Sequence, residues 1–157
     1  MAKSDAETLL ADNRKAGHDY HILETFEAGV VLVGTEVKAI REGRVNLRDS
    51  YCRFEGAEAF LQNVHIGQYS HGGYASHEAT RKRKLLLHRT QLNKLLGKTT
   101  IKGLTVVPLR MYLKNGRVKV LIGLAKGKNV RDKRETERRR EADRETRAAV
   151  KTRQASR

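Results

Sequence analysis

The chain of 157 residues has a single cysteine, Cys52, a single proline, Pro108, and no tryptophan. One cysteine excludes a disulfide framework and a cysteine-rich zinc site, and we expect it on the buried face of a strand. No run of 18 apolar residues occurs, and the N-terminal segment lacks the apolar stretch of a signal peptide. We therefore expect a soluble cytoplasmic protein with no membrane segment. Walker-type phosphate loops, HExxH, nucleophile-elbow and CxxC motifs are also absent, so the motifs indicate no enzyme, cofactor or metal site.

Basic residues are in large excess, with 33 Lys and Arg against 18 Asp and Glu and a net charge of +15. This excess predicts a polyanionic partner, with nucleic acid first among the candidates. Residues 126–157 alone hold 13 basic and 6 acidic side chains and few apolar ones. Burial there cannot offset an ordering cost of about 1.5 kcal/mol per residue. We predict a basic tail, residues 131–157, that is disordered when free and becomes a helix of about 35 Å against RNA, at about 1.5 Å per residue.

Alternating apolar and polar residues predict short strands through most of the chain. The clearest hairpin is LRMYLKNGRVKVLIGL, where Asn115 and Gly116 supply the positive φ angles of a tight turn. A second hairpin is predicted around Gly56, and a bulge or edge position at Pro108. The segment YHILETFEAGVVLVGTEV is interpreted as two strands interrupted by glycine. The fold class that follows is mainly β, a small Greek-key OB-like barrel with one or two short flanking helices.

Two helices are predicted beside the barrel. A short one covers TEVKAIREG, and the stronger one covers RKRKLLLHRTQLNKLLGK, with a leucine stripe and Gly97 as its stop. Basic residues 81–84 then lie at the helix N-terminus, where the dipole disfavours cations, so a phosphate backbone is the better explanation for them. Residues 67–80 are expected to form a surface loop containing His71 and His77. The domain boundaries are a flexible segment 1–12, the barrel 13–130 and the tail 131–157.

Aromatic residues are few, five tyrosines and three phenylalanines, and most fall in predicted strands. With so few rings to spare, we expect recognition of folded RNA by shape and phosphate contact rather than by stacking along a single strand.

Four stretches resemble one known family. They are NRKAGHDYHILETFEAGVVLVGTEVKAIREGRVNLRDSY, RKRKLLLH, KGLTVVPLRMYLKNGRVKVLIGLAKGK and DKR. In order, over about residues 13 to 150, they are similar to the tmRNA-binding proteins of bacterial trans-translation, called small protein B or SsrA-binding protein. The resemblance implies a non-enzymatic OB-like barrel that binds the tRNA-like domain of tmRNA and delivers it to stalled ribosomes for rescue and peptide tagging. It also implies a tail that probes the empty A site and mRNA channel along small-subunit rRNA. Alanyl-tRNA synthetase and elongation factor Tu follow as indirect partners through the RNA.

The candidate RNA contacts combine basic clusters with residues placed by this resemblance. Asn13, Glu27 and Leu86 fall where the family has residues important for tmRNA engagement. Candidates for tmRNA binding are Asn13, Arg14, Lys15, His18, Glu27, Lys38, Arg81, Arg83, Lys84, Leu86, Lys126 and Lys128. Candidates for the decoding site and mRNA channel are Arg131, Asp132, Lys133, Arg134, Arg138, Arg139 and Arg140.

Three positions depart from the family pattern. Gly17 stands where a basic residue is usual, and HEATRKR lacks the usual Asp-Pro before the basic cluster. Arg131 stands where many relatives carry a histidine that can stack on a decoding-centre base. An arginine can also stack, through its planar guanidinium group.

Two other functions remain open from the residues alone. One is a ribosome-associated OB protein that binds rRNA without tmRNA. The other is a metal-dependent RNA-cleaving enzyme, with Mg²⁺ held by Glu24, Glu27, Glu36 and Asp49, because hard cations take oxygen ligands.

Overall fold

The computed structural model describes residues 7–71, 77–128 and 130–155, without the side chains of residues 130–133, 135–136 and 149–155. Four helices lie in these ranges: α1 (Arg14–Asp19), α2 (Gly34–Arg41), α3 (Arg89–Thr99) and α4 (Val130–Ala155). The strands are β1 (Glu7–Asp12), β2 (Tyr20–Val30), β3 (Val45–Asn46), β4 (Tyr51–Glu55), β5 (Glu58–Gln62), β6 (His65–Ile66), β7 (Arg83–Leu86), β8 (Leu104–Lys114) and β9 (Arg117–Gly127). None of these helices combines the length and apolar composition that crossing a bilayer requires.

Six strands close into an antiparallel barrel, in the order β8-β4-β5-β7-β2-β9 and back to β8. The long strand β8 makes this closure possible. One of its edges pairs with β9 along its length, while the other pairs with β4 at Val106 and with β1 over residues 110–114. The register shifts between Pro108 and Arg110, which bends the strand near the point where it changes partner. The predicted mainly β, OB-like barrel is confirmed, and so is the irregularity at Pro108.

The interior of the barrel is apolar and continuous, which is what alternating strand patterns predict when one face of each strand points inward. Cys52 lies in this core, and burial raises the pKa of its thiol. The largest enclosed apolar side chains, with at most 1% of their surface exposed, are Ile40, Leu47, Leu61, Val64, Ile66, Leu95, Val106, Met111, Val120 and Ile122. A second, smaller cluster lies outside the barrel wall, where Ala16 of α1 packs on Val107 and Ala125.

Both predicted hairpins are present. Asn115 and Gly116 have φ angles of 51° and 76°, and they join β8 to β9 in the predicted register. Gly56, with φ of 59°, turns β4 into β5. The predicted short helix is α2, and Gly43 follows it with φ of 81°.

The stronger predicted helix is wrong in its first half. Residues 83–86 form strand β7, in which Arg83 and Leu85 point inward while Lys84 and Leu86 point outward. Helix α3 begins only at Arg89 and continues past Gly97 to Thr99. A short run containing leucines satisfies the period of a strand as well as that of a helix. The position between β5 and β2, which only a strand can fill, decides the outcome here.

Two further predictions need correction. Residues 7–12 belong to the predicted flexible segment but form β1, because the edge of β8 beyond β4 offers unpaired backbone groups to a neighbouring strand. The segment predicted as two strands is the single strand β2 followed by α2. Gly29 lies inside that strand, where an added Cβ would approach the Cβ of Leu86 on β7 to 3.3 Å.

Helix α4 begins one residue before the predicted tail and contributes no described side chain to either apolar cluster. Its described side chains, residues 134 and 137–148, are all exposed. Its helical form agrees with the conformation predicted against RNA. The predicted disorder of the tail in the free protein stays a prediction.

Candidate nucleic-acid interface

Asn13 fixes the start of α1 and is almost buried, with 8% of its surface exposed. Its side-chain oxygen accepts a hydrogen bond from the backbone N–H of Ala16, as an N-cap does, and its Nδ2 donates to the carbonyl of Pro108 at 2.8 Å. Both polar groups of the side chain are therefore used inside the protein. Asn13 positions α1 on the barrel and offers little surface for an RNA contact of its own.

The basic residues beside this cap lie on or next to α1, in a group that we call the α1 surface: Arg14, Lys15, His18 and Lys128. Arg14 is exposed, and Lys15 reaches Asp49 at 2.5 Å. Lys128, at the end of the barrel, donates from its Nζ to the carbonyl of Gly17 at 3.0 Å. The cap and the end of β9 thus bring together basic residues that are more than 100 positions apart. Such a group suits phosphates spaced along an RNA backbone.

His18 links the α1 surface to the tail helix. Its Nδ1 lies 3.0 Å from the carboxylate of Asp19, and its Nε2 lies 2.9 Å from that of Glu137 in α4. Arg140, one turn further along α4, passes close to Gly17, where an added Cβ would lie 3.7 Å from the guanidinium. A basic residue at position 17, as in the family pattern, would therefore face Arg140.

Glu27 lies on the outer face of β2 in a small polar network. The hydroxyl of Tyr112 donates to its carboxylate at 2.5 Å, and Lys114 approaches the same oxygen at 3.4 Å. The hydrogen bond from Tyr112, more than the charge of Lys114, holds the pKa of Glu27 below its ordinary value. Burial and this bond raise the pKa of Tyr112. The carboxylate is ionised and half-buried, and it orients two neighbours on β8.

Leu86 projects from β7 with 54% of its surface exposed. It lies over Gly29 and lines a shallow cleft of about 290 Å³ that includes Val118 and Lys119 of β9. An exposed leucine beside a cation offers apolar contact to a base or ribose and attraction to the adjoining phosphate. This exposure follows from the place of Leu86 on the outward face of β7.

Arg83 is not at the surface, so its predicted contact with RNA is wrong. Its side chain is fully buried, and its Nε donates to Glu36, itself fully buried. The other guanidinium nitrogens donate to carbonyl groups of residues 64, 78 and 79. A second arginine, Arg81, is about one third exposed and donates to the other carboxylate oxygen of Glu36 at 2.6 Å. The basic cluster is thus divided between an internal ion network and the surface.

Burial by itself raises the pKa of Glu36, but hydrogen bonds from Arg81, from the N–H of Val33 and from Arg83 outweigh it. The pKa of Glu36 therefore lies below its ordinary value, and the carboxylate is ionised inside the protein. The network joins α2, β7 and the segment that precedes β7. It holds Arg81 and the strand that carries Leu86 in place.

The remaining predicted contacts on the barrel are exposed. Lys84 extends outward from β7 with its Nζ 3.2 Å from Glu58, and Lys126 is exposed on β9. The Nζ of Lys38 lies 5.3 Å from the centre of the Tyr69 ring. Lys126 lies two residues before Lys128 of the α1 surface, whereas Lys84 and Lys38 belong to β7 and α2.

In the tail, Arg134, Arg138, Arg139 and Arg140 are exposed on α4. Arg131, Asp132 and Lys133 lie in the helical backbone, and their side chains are outside the described residues. The central part of the loop predicted at 67–80, residues 72–76, is also outside them. His77 at its end is buried rather than in a surface loop, because its ring nitrogens bond to Thr35 and to the carbonyl of Ile66.

The four carboxylates considered for Mg²⁺ each have a cationic partner. Glu24 lies 2.7 Å from Lys94, Asp49 pairs with Lys15, and the partners of Glu27 and Glu36 are those described above. Among the described residues, no three His, Cys, Asp or Glu side chains lie close enough together to share a metal ion.

Sequence patterns missed two residues beside α1. Arg48 lines a cleft of about 510 Å³ with Arg14, Lys15 and His18, and Tyr51 lines its neighbour with Lys15 and Tyr20. Residues 43–50, GRVNLRDS, followed by Tyr51, place two arginines on either side of the short strand β3, which is the only local signal. Their proximity to α1 comes from the barrel and could not be inferred from spacing.

Comparison with known proteins supplies the family. A family model described as SmpB protein matches residues 10–152. The chain belongs to the SmpB family. An SsrA-binding protein of Shouchella clausii is 56% identical over 98% of both chains, and one of Halalkalibacterium halodurans is 57% identical over 91% of this chain and 93% of its own.

A solved structure gives the same assignment. The chain is 51% identical, with a TM-score of 0.66, to a chain in a structure described as "tmRNA-SmpB: a journey to the center of the bacterial ribosome". The match covers 82% of this chain and 94% of that one. The resemblance predicted from four short stretches is therefore confirmed for the family over nearly the whole chain.

Proposed function

We propose that this SmpB-family chain binds the tRNA-like domain of tmRNA and delivers it to stalled ribosomes for trans-translation. The observation that carries the proposal is its near full-length identity to SsrA-binding proteins, 56% over 98% of both chains. The α1 surface supports it, because the buried cap of Asn13 holds a group of cations in a fixed arrangement. A preformed group of this kind suits a folded RNA whose phosphates are also fixed.

In this function the predicted contacts divide into two kinds. Residues of the first kind touch the RNA. They are Arg14, Lys15, Leu86 and Lys128, together with the exposed cations Lys38, Lys84 and Lys126. Residues of the second kind act by positioning parts of the protein. Asn13 positions α1, Glu27 positions β8 and Arg83 positions β7. In part, His18 does the same for the tail and Arg81 for β7. Side chains of the second kind are buried or bonded to the elements they position, whereas those of the first kind keep at least part of their surface available to RNA.

The tail has a separate task on the ribosome. Helix α4 has 26 residues and a length of about 39 Å at about 1.5 Å per residue. Its arginines, with Arg131, Asp132 and Lys133 near its start, would lie along small-subunit rRNA in the A site and the empty mRNA channel. An exposed basic helix with no apolar face suits a channel lined by phosphates, since it leaves no apolar surface uncovered.

The same proposal includes a cytoplasmic, non-enzymatic role. Alanyl-tRNA synthetase and elongation factor Tu act on the complex through the RNA rather than through this chain. No described feature calls for a cofactor.

The decisive experiment is to recover this protein from a bacterial lysate through an affinity tag and to sequence the RNA bound to it. Enrichment of tmRNA over rRNA and tRNA is expected. Recovery of rRNA without tmRNA would contradict the proposal and favour an rRNA-binding protein. Cleavage of the bound RNA that depends on a divalent metal, and that is lost in Glu27→Gln, would favour a nuclease instead.

A further inference from the structure

The flank of α1 contains a cleft with a chemistry different from that of the surrounding cations. Its volume is about 390 Å³, within the range of roughly 300–1,000 Å³ typical of small-ligand sites. We call it the tyrosine cleft because Tyr20 and Tyr51 both line it. The other residues around it are Asn13, Lys15, Ala16, Asp19, Asp49, Ser50, Thr105 and Val107.

We infer that the tyrosine cleft receives one unpaired base of the bound RNA, with guanine the best fit. This inference rests on the proposed function, because it assigns a contact within the same RNA complex. It adds one base-specific contact to recognition otherwise dominated by phosphates.

The charges inside the cleft argue against a phosphate there. Lys15 is its single lysine or arginine, and two carboxylates, those of Asp19 and Asp49, line it with that lysine. The lysine is also paired with Asp49 at 2.5 Å. An anion entering this space would meet a net negative lining. A neutral group is therefore the better occupant.

The apolar and aromatic surfaces suit a flat ring. Val107 and Ala16 are buried and lie on the cleft, and Tyr51 keeps 43% of its surface exposed at its edge. An exposed tyrosine beside these apolar side chains is a stacking surface for a base, since every base has a π face. Tyr51 follows Ser50, whose hydroxyl donates to the carbonyl of Leu47 and so holds the turn before β4.

The carboxylates favour a base whose edge carries N–H donors. Lys15 bonds to Oδ1 of Asp49, and Arg48 Nε lies 3.9 Å from its Oδ2. An ionised carboxylate has about four acceptor positions, so Asp49 can accept further bonds beside these. Guanine presents an N–H and an amino group side by side, which match two carboxylate oxygens, whereas uracil presents a single N–H. Asp49 is held for this role with φ of 61°, by the donation of Asn63 Nδ2 to its carbonyl and by Lys15.

The neighbouring cleft supplies the place for the phosphate. It shares Asn13, Lys15 and Asp19 with the tyrosine cleft and adds Arg14, Arg48, His18, Asp12 and Asn46, so its lysine and arginines outnumber its two carboxylates. A nucleotide with its base in the tyrosine cleft would have its phosphate beside Arg14 and Arg48. The two clefts are together complementary to a nucleotide, because one has a net positive lining that attracts a phosphate and the other has a net negative lining that does not.

The test is the affinity of the full-length protein for the tRNA-like domain of tmRNA, measured by fluorescence anisotropy over a range of salt. Tyr51→Ala should weaken binding by roughly tenfold or more, and Tyr51→Phe should keep affinity within about twofold, because the ring does the stacking. The salt slope should stay unchanged in Tyr51→Ala, because no phosphate contact is lost. It should decrease by about one in Lys15→Gln. Ile101→Ala, which removes an exposed apolar side chain outside the cleft, is the matched control and should bind like the unchanged protein.

A second measurement identifies the base. Irradiation at 254 nm of the unchanged complex should crosslink one guanosine to the peptide that contains Tyr51. Replacing that nucleotide by an abasic one should weaken binding to the unchanged protein but add no further loss to Tyr51→Ala.

Several outcomes would overturn the inference. They are unchanged affinity in Tyr51→Ala, an equal loss in Tyr51→Phe, and a crosslink to uridine alone. If the unchanged protein did not bind the RNA at all, the proposed function would fail together with the cleft. Loss confined to the variants tests the cleft alone.

Discussion

The barrel and the tail helix both carry many basic residues, but they differ in how far they bury their side chains. The barrel encloses its apolar side chains and even encloses an ion network, Glu36 with Arg83, at zero exposure. Helix α4 encloses none of its described side chains and contacts the barrel near α1 through His18 and Gly17. The barrel is therefore ordered by its own burial, whereas the prediction for the tail is that an RNA partner orders it. Under the proposed function, the barrel binds tmRNA and the tail senses the ribosomal channel.

Deleting the tail should give the largest separation between the two regions. Removal of residues 131–157 should abolish peptide tagging on stalled ribosomes and leave tmRNA affinity within about threefold, because the α1 surface and Leu86 remain. Tagging is measured in a reconstituted translation system and affinity by anisotropy. A tail of the same length with each arginine replaced by glutamine is the control. A large loss of affinity in the deletion would show that the regions are not independent.

Within the barrel, the buried carboxylate should have the largest effect on stability. Glu36→Gln leaves Arg83 buried without its counter-ion and should lower the free energy of unfolding by about 3–5 kcal/mol. Urea unfolding at pH 7 measures this loss. Glu24→Gln, which removes an exposed pairing with Lys94, is the control and should change stability by less than about 1 kcal/mol.

The same carboxylate predicts a pH dependence. Because the pKa of Glu36 is lower in the folded protein than its ordinary value of 4.5, its contribution is present above pH 4.5 and is lost as pH falls through the folded pKa. Acid unfolding of Glu36→Gln should therefore be less steep over this range than that of the unchanged protein. Equal steepness would mean that Glu36 is not the group that titrates.

A smaller effect is expected where the small cluster outside the barrel wall is tightest. In Gly123→Ala the added Cβ would lie 2.9 Å from Leu109 Cδ1 and 3.1 Å from Ile22 Cγ2, so these side chains must move. Thermal or urea unfolding should show a loss of about 1–3 kcal/mol. Gly127→Ala on the same strand meets nothing within 4 Å and should change stability by less than about 0.5 kcal/mol. Equal stability of the two variants would contradict the packing described here.

The smallest effect belongs to the contact between the two regions. A double-mutant cycle with His18→Gln and Glu137→Gln should give a coupling of about 0.2–1 kcal/mol, since the Glu137 side chain is 61% exposed. Hydrogen exchange of the α4 amides in the free protein measures it. A coupling above about 2 kcal/mol would mean that the barrel itself orders the tail.

Local patterns predicted much of the fold. Both hairpins and α2 came from turn residues and from alternation or spacing within a few positions, and the structure has all three. The leucine-rich segment was predicted wrongly because its local pattern fits two periods, and its partner strands β5 and β2 lie outside it in the sequence. Strand β1 was missed because its pairing depends on the open edge of β8, about 100 residues away.

The candidate site divides in the same way. Exposed cations such as Arg14 and Lys84 could be identified from charge alone, whereas the burial of Asn13 and Arg83 could not. Charge predicts where a residue would gain from RNA, but it does not reveal that a carboxylate from α2 has already neutralised it. Arg48 and Tyr51 were overlooked for the same reason, since their role depends on α1 lying beside them.

By itself the sequence determined the family, the basic character, the β class and the division into a body and a polar tail, because each depends on composition or on neighbours a few residues apart. Only the tertiary structure decided which basic residues remain available, where the tyrosine cleft lies and how α1 meets α4. The physical reason is that barrel closure brings distant strands together, and burial then either pairs a charge or leaves it at the surface.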